Sequence, residues 1–423
     1  MTTHVIIGNG PAGVIAAETL RKNAPQDDEI ILIGDEPEPP YSRMAIPYLL
    51  MGNIDEAGTY LRKGADHFNC LRIRQLTARV KSIDTAARQV TLQQGDPIEF
   101  DQLLIATGST PVRPPIPGID CAGVHPCWTL HDARAIMQLA QPKARVIQMG
   151  AGFIGCIIME ALAARGVELT VIEMGDRMVP RMMGEGAGNM IRQWCENQGV
   201  RVYTSTRIEA IEQRAPLSVR LSNGEHLPAD LIISATGVKP NIGFLEFSDI
   251  KCLQGILVDE TMQTNIPGIY AAGDCAEAFD YITGHTIVSA IQPNAADQAR
   301  CAALNMCGKQ AVQRGVTQIN VLDTLGLIST SFGQWQGVPG GQRVEMSDHE
   351  HFKYLRLEFD QDRLVGSNAI GLTEHVGVLR GLIQHRVRLG HWKETLIADP
   401  TRLMEAYIAC AQKQDGWKGA NAG

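Results

Sequence analysis

Residues His4–Lys22 read HVIIGNGPAGVIAAETLRK: an apolar run, then Gly8, Gly10 and Gly13, then a helix-forming stretch. Each glycine has a separate task in such a turn. Gly8 permits the sharp reversal, Gly10 lets the backbone approach a pyrophosphate, and Gly13 lets helix and strand pack closely. The helix then offers free N–H groups and a positive dipole end to the phosphates. The next apolar run, EIILIGDE, ends in Asp35 and Glu36, where an acid can hold a ribose hydroxyl.

The pattern recurs. RVIQMGAGFIGCIIMEALAARG supplies Gly150, Gly152 and Gly155 after a second strand, and ELTVIEMGDR ends its strand in Glu173. Two complete fingerprints, each with its acid, predict two dinucleotide-binding folds in one α/β chain. A carboxylate at 173 accepts bonds from a free 2′-hydroxyl and repels a 2′-phosphate. That repulsion is on the order of 4 kcal/mol for like charges about 4 Å apart at an effective dielectric near 20. NADH is therefore expected over NADPH, a preference that Arg177 and Arg181, which follow closely, soften.

The composition fits this reading. At 423 residues the chain predicts about two to four domains. Apolar content of 44% and charged content of 20% are those of a globular protein, and 42 glycines suit tight turns and close backbone approaches. A net charge of −8 gives no electrostatic reason for a nucleic-acid partner. The apolar runs are strand-length, far short of a membrane span. The first strand begins near His4, which leaves no room for a leader, so a cytoplasmic location is expected. The ten cysteines show no Cys-x-x-Cys and no metal-ligand spacing. They are expected to be reduced and mostly buried, with Cys121/Cys127 and Cys301/Cys307 the nearest neighbours, and no metal is expected.

Three further segments carry a family resemblance. LLIATGSTP (103–111) and LIISATGVKPN (231–241) are strand-end Ala-Thr-Gly turns, and GIYAAGDCAE (268–277) is a strand closing on Gly273 and Asp274. In order and spacing the chain resembles the pyridine nucleotide–disulfide oxidoreductase superfamily over about residues 1–315. The resemblance implies two interleaved Rossmann-like domains, for FAD and NAD, with a C-terminal α+β interface domain. The FAD domain would span 1–112 and 240–315, the NAD domain 113–239 and the interface domain 316–423, with TPVRPPIPG and GVKPN marking the crossings.

For FAD the resemblance implies contacts from the first loop (Gly8, Gly10, Pro11, Ala12, Gly13), from Asp35, Glu36 and Arg43, and from Val80 to the adenine. It adds Ala106, Thr107 and Gly108, then Gly273 and Asp274 at the ribityl–phosphate region, then Gln292, with Pro293 and Asn294 under the flavin ring. For NAD it implies Gly150, Gly152, Phe153, Ile154 and Gly155, with Glu173, Thr236 and Gly237. Phe153 is read in two ways, as the aromatic that shields the flavin until NADH displaces it or as a core residue.

What is missing narrows the activity. Between residues 36 and 60 there is no Cys-x4-Cys of the glutathione-reductase type. The oxidase, peroxidase and coenzyme A disulfide reductase branch has a cysteine where MAIPY places Met44, and often a histidine where the first loop has Pro11. A thioether forms neither a thiolate nor a sulfenic acid. GDEPEPPYSR and IQPNAADQARCAALNMCG resemble instead the branch of ferredoxin, rubredoxin and putidaredoxin reductases and nitrite reductase flavin domains. Three positions depart from it: Tyr48 for a lysine, Ile157 for a helix glutamate and Trp128 for an arginine.

The expected activity is thus FAD-dependent exchange of electrons between NADH and an iron–sulfur protein. That partner is a diffusible ferredoxin or the subunits of a larger 2-oxoacid oxidoreductase of the phenylglyoxylate dehydrogenase type. No side chain is expected to act covalently, and Met44, Tyr48 and Phe153 are placed near the flavin. One alternative is reduction of a small quinone-like acceptor in a pocket lined by Met44, Tyr48 and Trp128. Another is a non-catalytic FAD protein whose assembly responds to NADH. A homodimer and a hetero-oligomeric complex both remain open. His349 and His351 in SDHEHFKY are read as a solvated turn ahead of metal ligands. The basic run with Arg380, Arg386, Arg388 and Lys393 is read as ordinary surface ahead of a docking patch.

Overall fold

The computed structural model describes residues 1–414 except Tyr281, Arg314, Thr317 and Gln318. The ends of the expected C-terminal domain, Thr317–Gln318 and 415–423, lie outside the described residues. The chain folds into two compact units, one of residues 1–112 and 238–317, the other of residues 113–237 and 318–423.

The first unit is built on a five-stranded parallel sheet. Its order is Ile269–Ala271, Gln102–Ile105, Thr3–Ile7, Glu29–Gly34, Ile73–Thr77. The two central strands read THVII and EIILIG and are buried almost throughout, because helices and small sheets cover both faces. On one face lie the helices Pro11–Asn23 and Gln292–Met306, which pack together. Their buried residues Ala16, Ala17, Ala299, Ala302 and Ala303 allow close approach. The other face buries Val5, Ile7, Ile31, Ile33, Leu103 and Ile105 against Val90, Phe100 and Ile256. Each such fully buried aliphatic side chain contributes about 1.5–3 kcal/mol of transfer free energy.

The second unit repeats the design. Its parallel sheet has the order Arg201–Tyr203, Glu168–Ile172, Arg145–Met149, Leu231–Ser234, Val124–His125. The helix Phe153–Ala164 follows the central strand, and a three-stranded antiparallel sheet over Ile208–Ala229 packs Ile211, Leu217 and Val219 onto Ile147 and Ile232. Residues 319–370 form a five-stranded antiparallel sheet, ordered Ile319–Thr324, Leu327–Gly333, Arg363–Ile370, Lys353–Asp360, Gln342–Asp348. The helix Val376–Gln384 packs on this sheet, and the helix Leu403–Gln414 packs on that helix. His349 and His351 lie in the turn before Lys353, where His351 Nδ1 meets Asp348 Oδ2 at 2.8 Å. Among the described residues no helix is long and apolar enough to cross a membrane.

Candidate functional site

In parallel sheets of this kind, ligands sit in the crevice beyond the carboxyl ends of the strands, where the first loop turns into its helix. Gly8 and Gly150 take that turn with φ of +112° and +98°, and a Cβ at either would meet the next strand's exit. It would come 2.0 Å from the Ala106 carbonyl oxygen at Gly8 and 2.4 Å from that of Ala235 at Gly150. Gly13 and Gly155 face the carbonyls of Gly8 and Gly150, with 1.8 and 2.6 Å available. These four glycines are required by the protein's own packing. Gly10 and Gly152 are different: a Cβ at either would touch nothing within 4 Å. Both are helix N-caps without a side-chain cap, so the first-turn N–H groups face open space. Two glycine turns, each opening a helix whose N-cap carries no side-chain bond, suit two pyrophosphates.

In the first unit, the turns Ala106–Gly108 and Gly273–Asp274 close on the same crevice. Thr107 and Asn241 lock together: Thr107 Oγ1 donates to the Asn241 carbonyl (2.8 Å), and Asn241 Nδ2 donates to that of Thr107 (3.0 Å). The Asn241 N–H adds a bond to the Gly108 carbonyl (2.9 Å). Gly273, at φ +81°, donates its N–H to the buried Gln298 Oε1 at 2.8 Å. Ser109 Oγ donates to Asp274 Oδ2 at 2.8 Å. Burial raises the Asp274 carboxyl above its ordinary range, while Ser109 and the Arg43 charge act against that rise. Asn241, Gln298 and Ser109 were not singled out by their spacing. The signal for Asn241 was its place directly after GVKP at the chain crossing.

Of the two acids ending the second strand, Asp35 is exposed and Glu36 is already engaged. Tyr41 Oη donates to Glu36 Oε2 (2.6 Å) and Arg43 Nη2 to Oε1 (2.7 Å), with the Arg43 guanidinium 5.7 Å from the Tyr41 ring centre. Glu36 therefore orients Arg43, and Asp35 is the freer acid. Val80 opens the strand Val80–Asp84 at a register shift, half-buried. Met44 and Tyr48 are 51% and 53% exposed on the short helical turns Arg43–Ala45 and Ile46–Leu50. Gln292 and Pro293 open the helix Gln292–Met306, exposed, with Gln292 Oε1 accepting from Ser42 Oγ at 3.1 Å. Pro11 stands at the first position of its helix, followed by buried Ala12.

In the second unit, Glu173 is 9% exposed and its carboxylate accepts two backbone N–H bonds. Ala151 donates to Oε2 (2.7 Å) and Gly175 to Oε1 (2.6 Å). The acid thus braces the glycine loop itself. Phe153 and Ile154 begin the helix half-buried, and Thr236 and Gly237 follow the strand Leu231–Ser234. The second loop's other flank is the segment after Glu173. Arg177 is engaged by its neighbours, Nε to the Met183 carbonyl (2.9 Å) and Nη1 to Asp176 Oδ1 (2.7 Å). Arg181 is exposed, with Nη1 3.8 Å from where a Cβ at Gly237 would stand.

All ten cysteines are free thiols. Burial pushes Cys127 and Cys156 up to about 12 and Cys301 up to about 11, and raises Cys195 and Cys275 as well. Only Cys70 is exposed. Among the described residues no three His, Cys, Asp or Glu side chains are grouped to hold a metal ion.

Comparison with known proteins places this geometry. The sequence profile of the pyridine nucleotide-disulphide oxidoreductase family matches residues 2–302. Subunit epsilon of the NADH-dependent phenylglyoxylate dehydrogenase of Aromatoleum evansii is 30% identical, over 94% of this chain and 95% of its own. An NADH oxidase of Methanocaldococcus jannaschii is 30% identical over 87% of both. The crystal structure of a ferredoxin reductase from Rhodopseudomonas palustris superposes with a TM-score of 0.81 at 27% identity, covering 89% of this chain and 93% of its own.

Proposed function

Because the chain belongs to the pyridine nucleotide-disulphide oxidoreductase family, we propose that it holds FAD in the first unit and NADH in the second and exchanges their electrons with an iron–sulfur protein. FAD, when bound, takes a hydride's two electrons from NADH and passes them on singly. The chain's residues position and insulate. The amides at the open Gly10 and Gly152 turns hold the two pyrophosphates, and Asp35 holds the FAD ribose. Glu36 aims Arg43 at the phosphates, and Asp274 faces the ribityl–phosphate region. The carboxylate of Glu173 stands at the NAD ribose, which favours NADH over NADPH.

The observation that carries this reading is the pair of uncapped glycine turns in a protein without a usable thiol at the flavin. Met44 stands where thiol-dependent relatives keep cysteine, and burial holds Cys156 and Cys275 protonated. With no such thiol to relay them, electrons would leave from a bound flavin. The relative that is a subunit of a phenylglyoxylate dehydrogenase supports a role inside a larger complex. The exposed apolar side chains of Met44 and Tyr48 favour a second reading, a small quinone-like acceptor.

One experiment separates the two. The untagged protein is isolated anaerobically from its own host, its mass and iron are measured, and NADH-driven reduction of ferredoxin and of a quinone is compared. Iron-bearing co-purifying subunits, or ferredoxin as the faster acceptor, support the proposal. An iron-free protein that reduces only the quinone establishes the second reading instead.

A further inference from the structure

The C-terminal sheet of the second unit reaches the segment after Glu173 through one buried side chain. Asn368, fully buried on the strand Arg363–Ile370, bonds two backbone groups there: Nδ2 donates to the Met182 carbonyl (3.0 Å), and Oδ1 accepts from the Gly184 N–H (2.9 Å). Arg356 on the neighbouring strand fills the space at Gly184, where a Cβ would come 2.6 Å from its Nη1. Arg356 is itself fixed by the buried Glu358, 2.6 Å away.

The segment so pinned is under constraint. Val179 is a β-branched residue at φ +49°, a conformation that persists only where its surroundings enforce it. Its carbonyl accepts from the N–H groups of Met182 and Met183, both at 2.9 Å. Its own N–H donates to the carbonyl of Ala151, inside the second glycine loop, at 2.9 Å. A continuous chain of bonds therefore runs from Asn368 through Met182 and Val179 to the loop that carries Gly152. Between Val179 and Met182 the segment holds Arg181 beside Gly237.

We propose that Asn368 is a positioning residue for the pyridine nucleotide. By fixing residues 179–184 it keeps Arg181 at the mouth of the crevice, where the guanidinium meets the dinucleotide's phosphates, and it holds Ala151 in the shape that opens Gly152. This rests on the assignment of NADH to the second unit. Arg181 supplies the contact, and Asn368 acts through it.

The test uses the FAD-loaded full chain, with calorimetric binding of NAD⁺, which the oxidised protein does not turn over. Asn368→Ala is expected to raise the Kd about tenfold, and brief trypsin treatment is expected to cut it after Arg181 faster than wild type. Arg181→Ala, on the surface, is expected to weaken binding as well. The double variant should bind no more weakly than the weaker single, since both remove one contact. Asn368→Asp keeps the size and the acceptor to Gly184, and should fall between wild type and Asn368→Ala; it serves where the alanine variant does not fold. A Kd within about twofold of wild type in folded variants overturns the inference alone, as does a double variant whose losses multiply. A wild-type protein that binds no NAD⁺ overturns the assignment of the site and this inference with it.

Discussion

Gly8 and Gly10 stand two residues apart in one loop, and their substitution should separate folding from binding. Gly8→Ala demands a strained φ and a Cβ 2.0 Å from the Ala106 carbonyl oxygen. It should cost more than about 3 kcal/mol and be seen as loss of the melting transition or of soluble protein. Gly10→Ala meets no protein atom. It should melt within about 0.5 kcal/mol of the wild-type apoprotein, yet bind FAD at least about tenfold more weakly by titration. A Gly10→Ala protein with wild-type FAD affinity would remove the first loop from the flavin site. His4 makes a second test at this scale. It is 1% exposed, its Nδ1 has no partner, and burial lowers its pKa despite Asp28 at 3.3 Å. The folded protein therefore binds its proton less readily than the unfolded chain. Stability from this group is present above the ordinary value of 6.5 and is lost as pH falls through the lower folded value. His125, also lowered by burial, adds to the same window. Melting temperature should fall as pH drops below about 6.5, and His4→Gln should flatten that slope. Glu18, Asp28 and Asp230, whose carboxyls are held low, add their losses only below their ordinary values of 4.5, 3.8 and 3.8.

At the scale of elements, the short strands Ser109–Pro111 and Val238–Pro240 pair antiparallel where the chain leaves the first unit and returns to it. Asn241 ends that pair and clasps Thr107 and Gly108 from both backbone and side chain. Asn241→Ala removes the side-chain bonds to Thr107 and Thr110 and leaves the Thr107 carbonyl without that partner, at a cost of about 1–3 kcal/mol. The Ala106–Gly108 turn should loosen, and FAD should be lost on dialysis faster than from wild type, with NAD⁺ binding little changed. Unchanged FAD retention would show that the turn is held by the strands alone. The glycine turns themselves were legible in the sequence, because strand, turn and helix follow one another within about twenty residues. The clasp was not, because it joins residues 134 apart in the chain.

For the whole molecule, the distribution of its thiols bears on the chemistry. Ten cysteines are present and Cys70 alone is exposed, on the short helix His67–Cys70. Native alkylation should modify Cys70 first and leave NADH-driven acceptor reduction at its starting rate, whereas parallel loss of activity with one thiol modified would return a cysteine to the mechanism. The sequence by itself determined the two glycine fingerprints with their acids, and hence the family. These are local patterns, each set by the backbone geometry that one strand–turn–helix requires. Tertiary structure alone decided how those parts are held. It turned Glu36 toward Tyr41 and Arg43, and Glu173 toward the amides of Ala151 and Gly175. It also brought Asn368 to Met182 and Gly184 across some 184 residues of chain. Partners as distant as Asn368 and Gly184 carry no periodicity or spacing. They are chosen only when buried polar groups must find each other inside a packed core.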